Sequence, residues 1–194
     1  MISAETLANV VNDSRNYLGG RDGARVFSVP VSEIPNQRCR GVIKLFQEPG
    51  LAHKELFFGT RMIAIGNRAP TMFGVGQYSG FPPGHFLYTP TGVLEGVLME
   101  ELSGFRFEEL PSAQRRSAKD AFVVGVVNAL NHGIMPRDSY WNSNVFYQET
   151  KDGLVACFFD FARWEQKRVP IGRGMAFLRK ACDIRELPTE VYSQ

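Results

Sequence analysis

Cysteine is scarce in this sequence, and its distribution excludes two common uses. Cys39, Cys157 and Cys182 are far apart, odd in number and never in a C-x-x-C pair, which argues against a zinc site or a disulfide framework. Cys157, inside the apolar run from Val155 to Phe159, reads as a core thiol. No apolar run approaches the ~18 residues of a membrane helix, so membrane insertion is not expected. The start, MISAETLANVVNDSRN, has neither the basic opening nor the continuous apolar block of a secretory signal; a soluble, cytoplasmic protein is the expectation. Charge of one sign is lacking too. With 22 basic against 20 acidic residues the net charge is +2, so nothing calls for nucleic acid or an anionic membrane as partner.

What is present is enough for one core. At 194 residues, 44% of them apolar and 22% charged, the chain suits one domain or two small lobes sharing a cleft. Residues 1–194 are read as one structural unit.

Hydrophobic spacing places the elements. Ser3 to Val11 reads as a short helix with Ser3 as N-cap, and Tyr17 to Gly23 as turn. Ala24 to Val31 and Cys39 to Phe46 alternate as strands, so that Lys44 faces the side opposite Ile43 and Leu45. Leu51 to Ile65 fits an amphipathic helix closed by Gly66. A strand follows Pro70, then a Gly- and Pro-rich loop from Ser79 to Gly92, then a buried strand from Gly92 to Leu102. Ser112 to His132 reads as a buried helix ending near Gly133. After it come a strand near Val145 to Tyr147, a turn at Lys151-Asp152-Gly153 and a strand from Leu154 to Phe159. A last helix is expected over Gly174 to Arg185.

Between Asn131 and Phe161 lies a pattern suited to phosphoryl transfer. Arg137-Asp138 is followed by Asn142 and Asn144, and Asp160-Phe161 leaves an apolar strand. Such chemistry needs one carboxylate facing the attacking hydroxyl, and an amide and a second carboxylate to hold metal on ATP. Asp160, at the end of an apolar run, is costly to bury unless paired or metal-bound. Each residue also has a plainer reading: Asp138, Asn142 and Asn144 as turn residues, Lys44 on a solvated face, Glu55 favoured by a helix dipole. Arg163, Lys167, Arg168 and Arg173 form a basic stretch, either a solvated face or a surface for an anionic substrate or partner.

In their order along the chain these motifs resemble the protein-kinase-like fold family, in particular its small RIO-like and aminoglycoside-phosphotransferase-like members, in a divergent and truncated form. The resemblance runs from about Gly20 to Trp164. It implies an α+β, two-lobed fold: a small antiparallel sheet plus helix to about residue 102, then a reduced, mostly helical lobe to 194. Lys44 in GVIKLF resembles the lysine that meets nucleotide phosphates, and Glu55 its helical partner. Glu100 and Leu102, in the hinge-like segment Leu98 to Gly104, stand where backbone groups meet adenine. Gly20 and Gly23 are what remains of a phosphate loop. Asp138 matches the catalytic aspartate, Asp160 the metal-binding aspartate, and Asn144, preferred over Asn142, the metal-binding asparagine.

The implied activity is transfer of the γ-phosphate of ATP, with Mg2+, to a hydroxyl on a protein or a small molecule. Departures from the pattern are Pro136 in place of the loop histidine, Ala162 in place of the glycine after Asp-Phe, Ser143 where the asparagine normally falls, and no Ala-Pro-Glu segment. These favour the alternative of a pseudokinase that binds nucleotide or protein without turnover.

Overall fold

The computed structural model describes residues 2–20, 23–30, 34, 40–137, 140–168 and 170–182. The chain divides into two compact units, residues 1–57 with 70–101, and residues 58–69 with 102–194.

The first unit is built on one antiparallel sheet. Its strands are β1 (Tyr17–Gly19), β2 (Ala24–Val29), β3 (Gly41–Phe46), β4 (Met72–Ser79) and β5 (Val93–Glu100), in the spatial order β1-β2-β3-β5-β4. Helix α1 (Ala4–Asn12) starts at Ser3, whose hydroxyl accepts the Thr6 N–H at 3.0 Å, as expected of an N-cap. Its apolar stripe of Leu7, Val10 and Val11 joins Phe27, Val29, Ile43, Leu45, Leu94 and Leu98 in one buried cluster. Because side chains alternate across a strand, the same register leaves Lys44, between Val26 and Val97, on the other face.

Tyr17–Gly19, read from sequence as turn, is a strand paired to β2. Three residues are too short for an alternation signal, and the pairing partner supplies what local sequence does not. Sequence boundaries elsewhere move by a few residues: β5 is shorter at both ends than expected, and β2 ends at Val29.

Helix α2 (Leu51–Ala64) passes from the first unit to the second after Phe57. It ends as Gly66 predicts. Gly66 takes φ +86, its N–H donates to Ile63 O and the Asn67 N–H to Met62 O, the pair of bonds that closes a helix on a left-handed glycine.

The second unit centres on helix α3 (Arg115–Asn131), entered through a 3-10 turn at Ser112–Gln114, so the expected start at Ser112 is tighter than an α-helix. Phe122, Val123, Val126 and Val127 are buried, which fits its nearly all-round apolar sequence. Gly125 lets Phe158 approach: a Cβ there would overlap the Phe158 ring. The hairpin of β7 (Val145–Thr150) and β8 (Gly153–Phe158) packs on α3. A smaller ladder pairs β6 (Ile134–Met135) with β9 (Glu165–Gln166). Helix α4 is Ile171–Cys182, three residues earlier than expected at its start. Asn67 and Asn128 tie the end of α2 to α3: Asn128 Nδ2 donates to Ile65 O at 2.8 Å and to Asn67 Oδ1 at 3.1 Å, and Asn67 Nδ2 donates to Gly125 O at 2.9 Å. Among the described residues no helix is long and apolar enough to cross a membrane.

Candidate functional site

In the first unit the site begins with a lysine in an otherwise apolar central strand. Lys44 is 8% exposed and Glu55, one turn into α2, 1% exposed. Lys44 Nζ lies 3.2 Å from Glu55 Oε2 and 5.0 Å from the Phe46 ring centroid. A charge in such surroundings is tolerated only when paired, so the solvated-face reading of Lys44 is overturned. Glu48, a second carboxylate close behind Lys44 in sequence, is exposed. Sequence reasoning missed a third member. Glu95 on β5 accepts the Gly50 N–H at 2.7 Å, fixing the first turn of α2 to the sheet and so aiming Glu55 at Lys44. The available signal was a lone glutamate inside the apolar run GVLEGVLM.

Gly20 and Gly23 lie in the turn joining β1 to β2. A Cβ on Gly20 would collide with the carbonyl oxygen of Ala24, and Gly23, at φ +81, accepts the Gln47 N–H at 3.1 Å. Both positions therefore demand glycine for a close turn. At the end of β5 the Glu100 carboxylate is held by Thr71, whose N–H and Oγ1 donate at 3.0 and 2.8 Å. The chain leaves the first unit immediately afterwards, between Glu101 and Leu102.

In the second unit Asn144 and Asp160 flank the open end of the β7–β8 hairpin. The register pairs Val145 with Phe158, and the Phe159 N–H donates to Asn144 O at 3.1 Å, extending the ladder one step. Asn144 and Asp160 are the two non-glycine residues with positive φ among the described residues, at +61 and +66. Left-handed backbone costs a non-glycine residue on the order of 1 kcal/mol and persists where the surroundings impose it, often at functional sites. Phe161 and Trp164, both buried with ring centroids 4.8 Å apart, anchor the chain just beyond Asp160. Asn142 is exposed in the turn before Asn144. There Tyr140 and Ser143 exchange backbone hydrogen bonds and the Tyr147 hydroxyl donates to Trp141 O at 2.5 Å. Asp138 lies outside the described residues; Arg137 next to it pairs with Glu165 at 3.1 Å.

An amide oxygen and a carboxylate are hard oxygen donors, a set that suits magnesium, which takes one or two carboxylates and completes its shell with phosphate and water. Among the described residues no group of three or more His, Cys, Asp or Glu is arranged to hold a metal. A surface pocket of the second unit, lined by Gly66, Asn67, Arg68, Gln148, Thr150 and Val155, includes none of the predicted site residues.

No protein-family model matches the sequence, and no curated protein matches it. Solved structures do share its fold. WaaP, solved in complex with acyl carrier protein, superposes with a TM-score of 0.58 at 14% identity, over 91% of this chain and 74% of that one. The Rio2 kinase of Chaetomium thermophilum, in its ADP/Mg2+-phosphoaspartate complex, superposes with a TM-score of 0.56 at 11% identity. That match takes in 90% of this chain but 58% of the kinase, less than two thirds of its length. At these identities the likeness speaks of fold alone, and the fold it supports for this α+β chain is protein-kinase-like.

Proposed function

We propose that this protein is an ATP- and Mg2+-dependent phosphotransferase with a two-lobed, kinase-like arrangement. The observation that carries the reading is the buried Lys44–Glu55 ion pair. Replacing such a pair with apolar residues is often neutral or stabilising, so a core that retains it has a use for the ammonium beyond packing. Held by Glu55, Lys44 would meet the nucleotide phosphates. The turn at Gly20 and Gly23 would close over them, and backbone groups of Glu100 and Leu102 would receive the base.

Asp160 and Asn144 would hold Mg2+, which when bound neutralises charge on the phosphates. Asp138 would orient the acceptor hydroxyl and take its proton. The bond from the γ-phosphorus to the bridging oxygen breaks, one from phosphorus to the acceptor oxygen forms, and ADP departs. Catalysis of this kind is positional and electrostatic, which fits side chains fixed by burial and by imposed backbone geometry. The acceptor is a hydroxyl on a protein or a small molecule. WaaP's complex with acyl carrier protein makes a carrier protein one partner worth testing.

The experiment is a melting curve with and without millimolar ATP and Mg2+, paired with an ADP-release assay. A ligand bound only by the native state raises the melting temperature by mass action. A shift that disappears in Lys44→Met and Asp160→Asn is expected, and its absence in the native protein would remove the reading. Pro136 and Ala162, both buried where the family pattern has histidine and glycine, favour a second reading as a pseudokinase. Its signature is a nucleotide shift without ADP release in the presence of any hydroxyl acceptor.

A further inference from the structure

We propose that the basic stretch following Asp160 binds a soluble acceptor that itself carries a phosphate group; the acceptor role rests on the phosphotransferase reading, the phosphate site does not. Between Arg163 and Lys180 the chain carries Arg163, Lys167, Arg168, Arg173, Arg179 and Lys180 against one acidic residue, Glu165. That single carboxylate is already engaged, with Arg137 at 3.1 Å. Lys167 and Arg168 are exposed and, among the described residues, neither has a carboxylate partner.

These two cations are not on a loose loop. They follow β9 directly, the Lys167 N–H donates to Gly133 O at 2.8 Å, and the Arg168 stem lies against Gly133. The β6 strand to which β9 pairs runs within two residues into Arg137-Asp138. The ladder therefore presents two uncompensated cations from a fixed backbone, just after the strand whose Glu165 pairs with Arg137. Presentation from fixed backbone lowers the ordering cost of binding.

Phosphate matches this pair better than a carboxylate does. A phosphomonoester carries about −1.5 to −2 charge at pH 7 with three strong acceptor oxygens, and arginine and lysine are its usual protein partners. A lipid headgroup offers the same chemistry, but membrane-surface binding also draws on exposed apolar side chains next to the cations. Here Phe161, Ala162 and Trp164 are buried, and no exposed large apolar residue occurs from 161 to 170 among the described residues. A soluble phosphorylated molecule is the occupant the surface fits.

The test uses the full chain labelled with 15N, titrated with fructose 1,6-bisphosphate and, in parallel, with fructose. Vesicles of phosphatidylcholine, with and without phosphatidylglycerol, are assayed by cosedimentation. Expected are amide shifts at Gly133, Lys167 and Arg168 with the bisphosphate and not the free sugar. Affinity should fall at least tenfold in Lys167→Ala/Arg168→Ala, with no change in melting temperature, and hold in the exposed-cation control Lys151→Ala. No ladder shifts, affinity insensitive to the double substitution, or binding to anionic vesicles alone would each overturn the proposal. Melting with Mg2+ and ATP on the same samples separates the two readings. A retained nucleotide shift with failed bisphosphate binding leaves the phosphotransferase standing, and the reverse leaves only the phosphate site.

Discussion

Replacing Lys44 by methionine leaves the Glu55 carboxylate, 1% exposed, without its ammonium 3.2 Å away. Removing one member of a buried ion pair costs about 3–5 kcal/mol, because the survivor keeps its desolvation penalty and loses its attraction. For a chain of this size each kcal/mol moves the midpoint by about 2–4 °C, so Lys44→Met and Glu55→Leu should each lower the melting temperature by roughly 6–20 °C. The double variant Lys44→Met/Glu55→Leu removes both charges and fills the site with apolar atoms. It should melt within a few degrees of the native protein. Differential scanning calorimetry of the four proteins gives the coupling as a double-mutant cycle. The nucleotide response separates structure from function: all three variants should lose the shift given by ATP and Mg2+, including the double variant whose stability is restored. Additive single effects would refute the buried-pair argument. A nucleotide shift surviving in Lys44→Met would refute the role assigned to the lysine.

Asp160→Asn keeps the side-chain size and tolerates the left-handed φ of +66, so it should abolish the Mg2+-ATP shift in the melting curve of a protein that still unfolds cooperatively. A shift that persists would dismiss Asp160 as a ligand. Tyr78 is 5% exposed, its hydroxyl has no hydrogen-bond partner among the described residues, and burial pushes its pKa up to about 12 from an ordinary value near 10. The neutral form is the one the fold favours, so this contribution is whole below pH 10 and is lost as pH rises toward 12. Tyr78→Phe should stabilise at pH 7 by on the order of 1 kcal/mol and flatten the alkaline loss in urea unfolding; an unchanged alkaline profile would contradict this. Gly20→Ala should lower the urea midpoint by the equivalent of about 1–3 kcal/mol, since its Cβ meets the Ala24 carbonyl. A midpoint equal to the native one would mean the turn has room.

Element type was largely readable because the signals are local. Ser3 before an apolar periodicity and Gly66 and Gly133 after one mark helix ends by capping chemistry, and the alternation from Gly41 to Phe46 marks a strand by its period of two. What escaped notice had no local signal. Tyr17–Gly19 and the two-residue strands β6 and β9 exist through their partners, and Glu95 matters because Gly50 comes to it from 45 residues away in sequence.

The site divides along the same line. Residue order determined, by itself, that a lysine interrupts an apolar strand, that a glutamate follows on a helix, and that asparagine and aspartate bracket a hairpin; these are matters of spacing and chain period. Tertiary structure decided that Lys44 is buried rather than solvated, that its partner is Glu55 rather than Glu48, and that Asn144 and Asp160 adopt left-handed backbone at one hairpin end. Burial and backbone strain are set by neighbours distant in the chain, through the cost of leaving a charge unpaired and the packing that holds a disfavoured dihedral, and neither quantity is a property of local sequence.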